Sequence, residues 1–121
     1  MPLFRRSPLP PDFLEAAGHV DAAPRALLSA IPTSRDAGAP LAEALARFSA
    51  HLADAEASLG KWEDEPNRNE CLRAAGAARA EAERLRLHPG ALEFEALNAR
   101  VGDVLHPLEV FADTERALRR A

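Results

Sequence analysis

Asp103, His106 and Glu109 stand three residues apart, a spacing that sets them along one side of a helix. An imidazole flanked by carboxylates is a fragment of a metal or ligand site. His51 and Asp54 repeat the fragment upstream. If their helices face each other, His51, Asp103, His106 and Glu109 make one His/carboxylate site. The competing expectation, which we favour, is that these are boundary residues bonded to neighbours or water.

The fuller metal patterns are missing. A carboxylate-bridged di-iron bundle needs two Glu-x-x-His pairs on facing helices. Neither that pair nor His-x-x-x-His occurs. No metal or cofactor is therefore expected. Nucleophilic catalysis would need Cys71 or a serine beside a base. Cys71 falls among alanines on an apolar helical seam, where cysteine behaves as a small buried hydrophobe. No Gly-x-Ser-x-Gly elbow or phosphate-cradling glycine loop is present. Trp62, the sole tryptophan, lies beside Glu63, Asp64 and Glu65. It is either an anchor for a ligand or partner or a plug for the end of a core, the reading we favour.

In size and class the chain resembles the all-α nucleotide pyrophosphohydrolases. That family binds magnesium through a Glu-Glu-x-x-Glu run and a later Glu-x-x-Asp. Neither run occurs here, so the resemblance carries no activity or magnesium site with it.

The elements that must position these residues are helices. Alanine dominates the apolar residues, and Ile31 is the single isoleucine. Alanine is the best helix former and buries little area. At 121 residues one domain with a thin core is expected. Arg and Ala in place of Lys and Ile are the usage a GC-rich bacterial genome imposes.

Residues 1–11 form a proline-rich arm in which Pro2, Pro8, Pro10 and Pro11 oppose helix. Arg5, Pro8 and Pro11 match the spacing of a polyproline-domain ligand, but docking of Leu3, Phe4 or Leu9 on the domain is the simpler use. Residues 12–121 read as the helical domain, starting near Asp12. The first seam is Phe13, Ala17, Val20, Pro24, Leu27 and Ile31. The second, after Pro40, is Leu41, Leu45, Phe48, Leu52, Ala55 and Leu59, closed by Gly60. The third, capped by Asp64, is Cys71, Ala75, Ala78, Ala82 and Leu85, with Gly76 in it. The fourth is Phe94, Leu97, Val101, Val104, Leu108, Phe111 and Leu118, broken by Glu115.

The expected fold is all-α, a four-helix up-and-down bundle with the last helix longer and kinked at Pro107. A three-helix bundle with short N-terminal helices is the alternative. From Ala91 to Arg120 the last helix would run about 45 Å, against roughly 30–35 Å for the others. Val110, Phe111 and Leu118 would then overhang as an interface, in a homodimer or toward another protein.

The formal net charge of −4 and pI near 5.5 disfavour nucleic acid. No apolar run nears the ~20 residues that span a bilayer, and no apolar stretch follows Arg5 and Arg6 as in a secretory signal. A soluble cytoplasmic protein is expected. Its expected role is a non-catalytic interaction or oligomerisation module. The alternative is a ligand- or metal-binding bundle, an enzyme among the options, around His51, Asp103 and His106.

Overall fold

The computed structural model describes residues 9–29, 39–90 and 94–120. Helices are α1 (Pro11–Leu28), α2 (Ala39–Leu59), α3 (Glu65–Leu87), α4 (Phe94–Leu105) and α5 (Glu109–Arg120). A three-residue 3-10 turn, His106–Leu108, joins α4 to α5, and the three together make the fourth rod of an all-α bundle. Among the described residues there is no strand.

Specific contacts set the directions. The start of α1 meets the end of α2, where Ser58 Oγ donates to Glu15 Oε1 at 2.6 Å. Leu41 and Leu45, early in α2, lie beside Leu85, late in α3. Cys71, early in α3, meets Thr114 in α5, and Arg100 of α4 reaches the carbonyl of His88. Neighbours therefore alternate in direction, up and down. The fourth rod closes on α1 through Phe13 and Phe111, whose rings stack with centroids 6.4 Å apart.

α1 starts at Pro11, whose missing N–H would be unpaired in a first turn anyway. Asp12 is a first-turn acid, not a cap; the helix has no side-chain N-cap. The helix continues through Pro24, which leaves the carbonyl of Val20 without its usual donor. The buried stripe is Phe13, Ala16, Val20, Ala23 and Leu27. It differs from the expected stripe at two places: Ala17 and Pro24 are only half-buried. Ala16 and Ala23 are small enough for a neighbouring backbone to come close, and α1 with α2 has the most extensive helix contact among the described residues. Ile31, and the Leu3 and Phe4 of the arm, lie outside the described residues; Leu9 of the arm is buried.

All six expected seam residues of α2 are buried, as are all five of α3. Gly76 is the exception to the α3 expectation, because it faces open solvent. Asp64 caps α3 by accepting from the Asn67 N–H at 3.3 Å and from Asn67 Nδ2 at 2.7 Å. The other end of α3 is closed from α4. Arg100 donates to the His88 carbonyl at 3.0 Å, setting a cation on the carbonyl end of the helix dipole. Gly90 then turns the chain at φ 66, where a side chain would strain the backbone.

The kink expected at Pro107 is a local change of helix type. Pro107 sits in the first turn of the 3-10 segment, where no N–H is demanded of it. His106 keeps a helical conformation although a proline comes next. A 3-10 turn advances 120° per residue against 100° for an α-helix, so three residues rotate α5 by about 60°. The effect appears at once. Thr114, not Glu115, enters the core after Phe111.

The expected overhang of this rod does not occur. Thr114 lies level with Cys71, so α5 ends about where α3 begins. The rod runs beside both α3 and the turn after it, and that turn takes up the extra length.

Candidate functional site

Antiparallel packing of α3 on the fourth rod leaves an open groove of about 500 Å³ on the outer side of the pair. Ala77, Ala80, Glu81 and Arg84 line it from α3; Asp103, His106 and Pro107 line it from the rod. The floor is smooth because Ala77 and Ala80 are one turn apart on the exposed face of α3. Opposite them the Pro107 ring adds apolar surface without an N–H to satisfy.

Its charges are mostly occupied. Arg84 pairs with Glu81, and His106 Nδ1 lies 2.8 Å from Glu109 Oε2. Both are exposed i, i+3 pairs, a kind that contributes little to stability. Asp103 has no ion-pair partner among the described residues.

The structure brings Asp103 and His106 to one groove and puts Glu109 in hydrogen-bond contact with His106. It does not add His51. That residue is half-buried on α2, which stands diagonally across the bundle from α4 because α3 lies between them. The four-residue site expected from the sequence is therefore not assembled. Among the described residues no group of three or more His, Cys, Asp or Glu is placed to hold a metal ion. Sequence reasoning missed Glu81 and Arg84 as lining residues. Their i, i+3 pairing is visible in the sequence, but the register of α3 against α4 is not.

Trp62 is buried, with its ring centroid 5.4 Å from that of Phe13. Phe13 thus sits between Trp62 and Phe111, and the three rings fill the end of the bundle where α2 hands over to α3. Phe111 is only 4% exposed, and Val110 and Leu118 are partly buried against the same core. Phe111 finds its cover in the Phe13 ring of α1.

Cys71 is fully buried, and its thiol donates to Thr114 Oγ1 at 3.6 Å. Burial pushes its pKa up, with the Thr114 hydrogen bond acting the other way. A thiol so held is a poor nucleophile. A second polar contact, also unforeseen, joins α1 to α2. The Ser58 hydroxyl holds the Glu15 carboxyl below its ordinary pKa, helped by Lys61 Nζ at 3.7 Å.

A smaller hollow of about 240 Å³ is lined by Leu41, Ala42, Leu45, Leu85, Arg86 and Pro89. No described helix is long and apolar enough to cross a membrane. No protein-family model, curated protein or solved structure matches the chain.

Proposed function

We propose that the chain is a non-catalytic helical interaction module, and that the groove between α3 and the fourth rod is its recognition face. One observation carries the reading: the groove has an apolar floor of Ala77, Ala80 and Pro107 between charged rims. Small residues let a partner helix approach closely, and rim charges fix its register. This face replaces the one expected at Val110, Phe111 and Leu118. The reading takes the cytoplasm as its compartment, with which a single free thiol agrees. The test is a photo-crosslinking amino acid at Ala80, with Ala57 on the exposed face of α2 as control. Protein adducts at Ala80 and none at Ala57 are expected. No adduct at Ala80, or equal adducts at both, would overturn the reading.

A second reading rests on the same groove, because Glu81, Arg84, Asp103 and His106 all line it. In that case it holds a small polar ligand, with Glu81 and Arg84 standing where His51 was expected. Titration of the protein with small polar metabolites, followed by the His106 ring resonances, tests it. Resonances unmoved by every compound would remove it.

A further inference from the structure

Resting on the interaction-module reading, we propose that the occupant of the groove is a second copy of this chain, related by a two-fold axis that runs along the groove. Arg73 and Arg84 are exposed on α3, one on each side of Ala77 and Ala80. Across the groove Asp103 is exposed on the fourth rod, and Asp113 is exposed further along that rod. The register fixed by Cys71 with Thr114 sets Arg73 level with Asp113 and Arg84 level with Asp103. The groove thus has Arg84, beside Glu81, on one wall and Asp103 level with it on the other, with Arg73 and Asp113 exposed beyond its end on the same two rods.

A two-fold axis parallel to the helices keeps height and exchanges walls. It lays α3 of one copy over α4 and α5 of the other, so each arginine meets an aspartate, four times in the pair. An axis across the helices instead lays α3 on α3. Because Arg73 and Arg84 are evenly spaced about the alanine floor, that arrangement stacks arginine on arginine. Like charges in contact oppose association, so charge selects the first axis. Arg73, Arg84 and Asp113 already pair with Glu70, Glu81 and Arg116, but these are exposed same-helix pairs that exchange at little cost. Asp103 has no such pair among the described residues to give up.

The experiment is analytical ultracentrifugation of the full chain and of two variants, Arg73→Glu/Arg84→Glu and Asp103→Arg/Asp113→Arg, with circular dichroism to check folding. All four positions are exposed, so the helices should persist. Wild type should dimerise at micromolar concentration. Each variant alone should dimerise about tenfold or more weakly, and an equimolar mixture of the two should recover the wild-type constant, since both contacts become complementary again. A wild-type monomer at high micromolar concentration overturns the proposal, as does a mixture no stronger than its components. Adducts at Ala80 to a different protein would then leave the module reading standing, while absence of any adduct would remove both.

Discussion

The Cys71 thiol and the Thr114 hydroxyl, 3.6 Å apart, join the early turns of α3 to α5 inside the core. They are the polar pair that fixes the register of the groove. Cys71 should therefore report the opening of that contact. A thiol reagent should leave the native protein unlabelled and label it stoichiometrically in denaturant. Because burial raises the folded-state pKa above 9.0, the stability it confers is complete below that value and declines as pH rises past it. Cys71→Ala should show a weaker alkaline loss of stability in urea melts.

The two faces of α3 should respond oppositely to one substitution. Ala78 is fully buried, so Ala78→Leu should overpack the core and cost about 1–3 kcal/mol. Ala80 faces the groove, and Ala80→Leu should change stability by no more than ~0.5 kcal/mol at protein concentrations below those of dimerisation. Urea melts of both variants are the check, and equal losses would mean that the face is assigned wrongly.

Phe13→Ala should be the costliest change at the aromatic end. Its ring lies between Trp62 and Phe111. A loss of about 3–5 kcal/mol is expected, with Trp62 emission shifted to the red as water reaches the indole. An unchanged emission maximum would argue against the packing described.

Glu15 should contribute an acid-labile part of stability. Its folded-state pKa is lowered by the Ser58 hydroxyl and by Lys61, so the contribution is present above the unfolded value, near 4.5, and disappears as pH falls through the folded value. Glu15→Gln should be less stable than wild type at neutral pH, and the two should converge in acid. A difference independent of pH would show that the carboxylate charge plays no part.

The seams of α2 and α3 are legible in the sequence because leucines, Phe48 and Cys71 mark them and the helical period is uniform. α1 is harder. Ala16 and Ala17 are identical as residues, and only tertiary packing decides which is buried. A constant period puts Glu115 on the seam, and the 3-10 turn breaks that period. Asp103 and His106 are legible as a pair from their spacing. Grouping His51 with them assumes that two helices face each other, whereas they stand on a diagonal. Glu81 and Arg84 need a register that local sequence does not encode.

The turn at His106–Leu108 makes the fourth rod two shafts joined by a coupling with a fixed angular offset. Replacing that coupling by uniform α-helix would not merely straighten the rod. It would turn the second shaft by about 60° relative to the first, bringing Glu115 to the seam and carrying Thr114 off Cys71. The contact of α5 with α3 is thus keyed to a three-residue phase shift some distance away, so an insertion or deletion near Pro107 acts on residues that it does not touch.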